Sequence, residues 1–121
     1  MIMHPTITND DHILDAETVS KMERTLGSKP LLQNMAEIFK VLSDPARLRI
    51  VMALRESELC VNHLADQTGL SQSSVSHHLK TLRQTRLVAF RRAGKSIFYS
   101  LADDHITALL VVARDHANES V

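Results

Sequence analysis

The stretch Val61-Asn-His-Leu-Ala-Asp-Gln-Thr-Gly69-Leu70-Ser71-Gln-Ser-Ser-Val75-Ser-His-His-Leu79-Lys-Thr-Leu82-Arg-Gln-Thr85 decides the fold. Its first eight residues predict a short helix over 61–68, with Leu64 and Ala65 turned inward. Gly69 closes that helix, Leu70 packs the turn, and Ser71 caps a second helix over 72–85. Along that second helix Val75, Leu79 and Leu82 recur at spacings of four and three. They form one narrow apolar stripe, and the remaining positions are mostly polar or basic.

Working outward, Leu87 to Arg92 and Ser96 to Leu101 alternate around Ala93-Gly94-Lys95. This is a hairpin signal, with Val88, Phe90, Ile97 and Tyr99 expected inward. Upstream, Asp15 reads as the cap of a helix over 16–26 that Gly27 ends. Pro30 opens the next helix, striped by Leu31, Leu32, Met35, Ile38, Phe39 and Leu42. Ser43-Asp44-Pro45 breaks it, and Leu48, Ile50, Val51 and Leu54 predict a third helix over 45–55. A last helix is expected over 103–118. Residues 1–14 are polar and irregular and read as a flexible arm, leaving 15–121 as a single domain. The fold class is therefore mostly α with one small β-hairpin.

Short helix, tight turn, striped helix and basic hairpin, in that order, make a winged helix-turn-helix pattern. A helix that enters the major groove must bury one face and keep small hydrogen-bonding side chains on its leading turn. Gln72, Ser73, Ser74, Ser76 and His77 meet that need. Lys80 and Arg83 further along, with Arg91, Arg92 and Lys95 on the hairpin, are suited to hold phosphates and set register. The expected partner is double-stranded operator DNA.

Charge distribution agrees with that assignment although the net charge is zero. Residues 71–100 carry six basic side chains and no Asp or Glu, whereas the flanking segments are acidic. A basic block inside a neutral chain is an electrostatic footprint for phosphate. Aromatic residues are only 3%, which argues against a platform that stacks single-stranded bases. No apolar run approaches the ~20 residues of a membrane span. Neither a secretory signal nor a membrane partner is expected, and a cytoplasmic location is. Cys60 is the one cysteine, so an intrachain disulfide is excluded and a reducing compartment fits.

Three segments resemble the ArsR/SmtB family of bacterial metal-sensing repressors. They are Ser43-Asp44-Pro45-Ala46-Arg47-Leu48-Arg49-Ile50, Glu58-Leu59-Cys60-Val61, and Ser71-Gln72-Ser73-Ser74-Val75-Ser76-His77-His78-Leu79. The resemblance covers roughly residues 31–119. It implies a homodimer that binds a palindromic operator when metal-free and releases it when metal binds. It also implies that the regulated genes export or sequester metal.

The last helix carries donors for a borderline divalent cation: Asp103, His105, His116 and Glu119. At 100° per residue His116 falls about 20° from His105, and Glu119 about 40° on the other side. Asp103 falls about 160° away on an ideal helix, so it must reach a ligand from the non-helical turn before it. The two histidines stand about 16 Å apart along the axis, too far for one helix to close both around one ion. Two antiparallel copies of the helix could, giving two identical sites in a two-fold dimer. Leu109 and Val112 lie between the histidines on the same face, so the row 105, 109, 112, 116 also reads as a dimer seam. Matched by position, the Asp-x-His and His-x-x-Glu pairs resemble the interhelical zinc site of the SmtB-type subgroup. Zinc is the cofactor the resemblance implies, and cobalt suits the same tetrahedral donors.

A second donor group is Cys60, His63 and His12. The family's other metal site draws on a cysteine at this place plus the N-terminal arm. Here Asn62 stands where cadmium- and lead-type sensors carry a second cysteine, and the arm has none. One thiolate cannot supply a soft, thiolate-rich site. His78 is read as a surface residue. Two other readings compete: a zinc hydrolase, and a winged-helix repressor that senses another divalent metal or redox state through Cys60. The first lacks a free base beside a filled donor set and any nucleophile motif. The second lacks an intrachain resolving partner for Cys60.

Overall fold

The computed structural model describes residues 13–119. Six helices and one hairpin follow in order: α1 (Ala16–Leu26), α2 (Lys29–Leu42), α3 (Pro45–Leu54), α4 (Val61–Thr68), α5 (Gln72–Gln84), β1 (Val88–Ala93), β2 (Ser96–Leu101) and α6 (Asp104–Glu119). The chain divides into two compact units at the Asn34–Met35 step within α2.

In the first unit, α1 starts where the Asp15 carboxylate accepts the Thr18 N–H at 2.7 Å. Gly27 ends it at φ 67°, and a Cβ there would press to 2.8 Å from Leu31. The Ser28 hydroxyl then accepts the Leu31 N–H at 3.2 Å and steadies the start of α2. α1 buries no side chain; Val19, Met22 and Leu26 are exposed.

The second unit holds the core. Asp44 caps α3 by accepting from the Ala46 and Arg47 N–H groups, with Pro45 at the first helical position. Ile50, Val51 and Leu54 of α3 meet Leu64 of α4 and Val75, Leu79 and Leu82 of α5 in one buried cluster. Leu87 and Val88 continue it into the hairpin, and Ile106 and Leu110 close it from α6. Each such aliphatic side chain contributes about 1.5–3 kcal/mol when removed from water. The stripe expected on the second helix of the helix-turn-helix is thus the buried one.

Two turns fix the helix-turn-helix unit. Gly69 sits at φ 75°, and its N–H reaches the Ala65 carbonyl at 2.9 Å. The buried Thr68 hydroxyl donates to the Leu64 carbonyl at 2.6 Å, so no polar group is left orphaned there. At the far end of α5, the Arg86 N–H bonds the Arg83 carbonyl and the Leu87 N–H bonds the Leu82 carbonyl. This is a Schellman closure with arginine, at φ 60°, in the left-handed position.

The hairpin is antiparallel, in register from Val88 opposite Leu101 to Ala93 opposite Ser96. Gly94 supplies the positive φ, 62°, at the first position of the two-residue turn. Leu59, from the loop after α3, adds a short third edge by exchanging both backbone bonds with Tyr99, at 3.1 and 2.9 Å.

Phe90 departs from the inward position expected of it, and both α2 and α3 carry exposed apolar side chains. Leu31, Leu32, Met35 and Phe39 on α2 are exposed, although Leu42 is buried. Periodicity and capping form a helix, but covering its stripe needs a second surface. Leu48 on α3 is also exposed, because the Ile50, Val51 and Leu54 face points into the core. Phe90 is 38% exposed, while Val88 on the same strand face is buried. The strand has left the core by that point, and the ring lies under a cation described below.

Candidate functional site

Helix α5 begins with a cap that also orders its polar turn. The Ser71 hydroxyl accepts the Ser74 N–H at 3.1 Å and lies 3.3 Å from the Ser73 hydroxyl. Gln72, Ser73, Ser76, His77 and Lys80 are exposed, and Ser74 is half-buried. Because Val75, Leu79 and Leu82 take the opposite face inward, this polar face is free to meet a groove.

His78 departs from the surface position expected of it. It is half-buried, and its Nδ1 accepts from Arg47 Nε at 3.2 Å. The same guanidinium donates from Nη1 to the Val41 carbonyl at 3.4 Å. Arg47 therefore ties α5 to α3 and to the end of α2. The His77 ring stands edge-on to His78, with centroids 5.9 Å apart.

The basic residues of the wing are not equivalent. The Arg83 guanidinium lies 4.1 Å over the centroid of Phe90, a cation–π contact that joins the end of α5 to β1. Arg91 is gripped by Glu58: Nε lies 3.1 and 2.9 Å from the two carboxylate oxygens, and Nη2 lies 2.9 Å from Oε1. Its guanidinium also lies 5.1 Å over the Phe98 ring. The hydrogen bonds from Arg91 hold the Glu58 carboxyl below its ordinary range and raise the Arg91 guanidinium above its own. Arg92 and Lys95 are exposed and make no ion pair among the described residues. Glu58 is the wing contact that the sequence did not announce. It lies 33 residues from Arg91, so no helical or strand period links them.

On α6 the four donors form two separate pairs. Asp103 precedes the first turn; its Oδ1 accepts the Ile106 N–H at 3.2 Å and stands 3.6 Å from His105 Nδ1. On the last turn His116 Nδ1 lies 3.3 Å from Glu119 Oε2. The side chains of His105 and His116 are 95% and 88% exposed. Between the pairs Leu109 packs partly on the core, and Val112 is 66% exposed. Among the described residues, no three His, Cys, Asp or Glu side chains of the chain converge as a metal site. Each pair thus offers two donors of the four a tetrahedral ion takes.

Cys60 is half-buried at the start of α4 and caps nothing with its side chain. His63 lines a cavity of about 470 Å³ with Glu56, Leu59 and Asp66, and Cys60 is not in its wall. His12, the third expected donor, lies outside the described residues, as does most of the 1–14 arm. Among the described residues no helix is long and apolar enough to cross a membrane.

Comparisons with known proteins converge on one group. Residues 44–89 match the model of a family described as "Bacterial regulatory protein, arsR family". A "Transcriptional repressor SmtB homolog" from Synechocystis is 43% identical over 111 residues, covering 92% of this chain and 84% of that protein. A "Cadmium resistance transcriptional regulatory protein CadC homolog" from Staphylococcus aureus is 38% identical over 87 residues, covering 71% and 72%. Among solved structures, the homodimeric winged helix-turn-helix DNA-binding domain of Mb0332 from Mycobacterium bovis superposes with a TM-score of 0.73 at 29% identity. It covers 78% of this chain and 90% of that one.

Proposed function

The chain belongs to the ArsR family of bacterial regulatory proteins, and from that premise we propose that it is a metal-responsive transcriptional repressor, most simply a zinc sensor. In this reading it binds operator DNA as a metal-free homodimer and leaves it when metal binds between the subunits. The relatives are regulators of transcription, so the hydrolase reading falls away.

One observation carries the sensor reading: the two donor pairs at opposite ends of α6, exposed and each incomplete alone. Asp103 and His105 of one chain would meet His116 and Glu119 of the other, two imidazoles and two carboxylates that suit zinc or cobalt. A divalent cation bound there would cross-link the two subunits. Exposed Val112 between the pairs supports a helix–helix seam, and Leu109 would meet its counterpart only at the edge of its own core packing. The exposed apolar side chains of α1 and of α2 supply further surface for a second copy to cover. The solved relative is itself described as homodimeric.

The DNA face would be Gln72, Ser73, Ser74, Ser76 and His77 toward base edges, with Lys80, Arg83, Arg92 and Lys95 toward phosphates. Two α5 helices must present themselves about 34 Å apart to enter successive major grooves. Tying α6 to α6 at both ends narrows the orientations open to the pair of α5 helices, and operator affinity falls. Linkage then requires DNA to weaken metal affinity by the same factor.

The test is binding to a duplex selected from a random pool, followed by fluorescence anisotropy with chelator and then with zinc. Wild type is expected to lose about tenfold or more in affinity on zinc addition, a coupling of ordinary allosteric size. The His105→Ala/His116→Ala variant is expected to stay bound. A double variant that still releases DNA would move the sensor to Cys60, His63 and the arm.

A further inference from the structure

The wing presents two neighbouring arginines in different states. Arg91 and Arg92 are consecutive on β1, so they point to opposite faces of the hairpin. Arg92 makes no ion pair among the described residues, whereas Arg91 turns its Nε and Nη2 edge onto both oxygens of Glu58. That side-on edge is one of the two a guanidinium can offer to a phosphate in a two-point contact, and Nη2, which the end-on edge also needs, is engaged with it. The ring of Phe98 lies against the face of the same group, so its orientation is set as well.

The ion pair is not what holds the hairpin in place. Leu59, next to Glu58, exchanges both backbone hydrogen bonds with Tyr99 of β2. The Ala102 N–H also bonds the Leu87 carbonyl at 3.0 Å, closing the open end of the hairpin. Leu87 and Val88 anchor its base in the core. Removing the Glu58 carboxylate leaves all of these in place, so its effect falls on the charge and the free edge of Arg91. The pair is also solvent-exposed, 56% for the arginine and 40% for the glutamate, and exposed pairs are held weakly enough for another anion to compete.

We propose that Glu58 is a positioning residue that withholds Arg91 from DNA phosphate, and so lowers by one the number of phosphates each wing engages. The inference rests on the DNA-binding reading above. Glu58 lies in the loop between α3 and α4, outside the reading helix and the hairpin, yet it tunes their non-specific grip. Lower phosphate engagement weakens binding to every sequence alike and leaves base readout by α5 a larger share of the affinity.

The readout is the salt dependence of binding, because each phosphate contact releases counterions. The full chain is titrated onto the selected duplex between about 50 and about 200 mM salt, a range in which such contacts dominate. Wild type, Glu58→Gln, Arg91→Gln and the double variant are compared, each checked for an unchanged helical spectrum. Glu58→Gln is expected to bind more tightly at low salt and to steepen the slope of log K against log salt by about 0.9 per chain. In the Arg91→Gln background the same substitution is expected to do nothing, since the gain runs through Arg91.

An unchanged slope in Glu58→Gln overturns the proposal. So does a gain that persists without Arg91, which would be the bare loss of a negative charge. Weaker binding at unchanged slope would make Glu58 a brace for the wing instead. If wild type binds no duplex, the DNA-binding reading itself fails, and that outcome is visible before any variant is compared.

Discussion

Asp103 faces His105 with the same carboxylate oxygen that caps α6: Oδ1 accepts the Ile106 N–H at 3.2 Å and stands 3.6 Å from His105 Nδ1. One side chain therefore serves both as the helix cap and as half of the donor pair. The two roles separate by substitution. Asp103→Ser keeps a capping oxygen and should leave thermal stability close to wild type while weakening the zinc response. Asp103→Ala should lose the response and also about 0.5–2 kcal/mol of stability, read from urea unfolding.

The turn between α4 and α5 depends on a backbone conformation, not on space. Gly69 has φ 75°, and a Cβ there would meet nothing within 4 Å. Gly69→Ala should therefore destabilise by about 1–2 kcal/mol through conformation alone. Gly69→Asn should cost visibly less, since Asn tolerates the left-handed region. Equal costs for the two would contradict this account.

Arg86 presents the reverse case. It occupies the left-handed position of the α5 closure at φ 60°, where glycine is favoured. Arg86→Gly should raise unfolding stability by about 1 kcal/mol. Denaturant unfolding that shows a loss would mean the side chain contributes more than its backbone costs.

The two faces of α5 should give opposite mutational signatures. Leu79 is 1% exposed in the core, so Leu79→Ala should cost about 2–5 kcal/mol and lose DNA binding with the fold. His77 is exposed, so His77→Ala should leave the melting temperature within a degree or two while weakening operator binding. A His77→Ala protein that binds like wild type would remove this residue from the interface.

Acid sensitivity should localise to the caps and the wing pair. The Arg47 backbone N–H is the main cause holding the Asp44 carboxyl below its ordinary 3.8. Hydrogen bonds from Thr18 hold Asp15 below 3.8, and Arg91 holds Glu58 below its ordinary 4.5. A carboxyl whose folded value is lowered adds stability above its unfolded value and loses it as pH falls through the folded one. Stability should therefore fall as pH drops through 4.5 and then below 3.8. In Asp44→Ser, which keeps a cap without the titrating group, that fall should be shallower; an identical pH profile would contradict the assignment.

Much of this was legible from local chemistry. Val75, Leu79 and Leu82 declared the buried face of α5 through spacing alone, and Asp15, Asp44, Ser71 and Gly69 marked helix ends through capping and left-handed turns. What was not legible depends on residues far apart in the chain. Glu58 reaching Arg91, Arg47 reaching His78 and Arg83 covering Phe90 are tertiary contacts that no period announces. The α2 stripe shows the same limit from the other side. Its periodicity was plain, but which surface covers Leu31, Met35 and Phe39 is not a property of the helix.

The central claim is a site that needs both subunits, and mixing two defective chains tests it directly. In a homodimer of either His105→Ala or His116→Ala, both sites lack a ligand. In a heterodimer of the two, one site regains His105 from one chain and His116 from the other, while the second site loses both. After subunit exchange the equimolar mixture should regain about a quarter of the wild-type zinc sites, and with them a partial zinc-driven release of DNA that neither variant shows alone. If the exchanged mixture stays as silent as its parents, the donors of α6 do not meet across the dimer and the account is wrong.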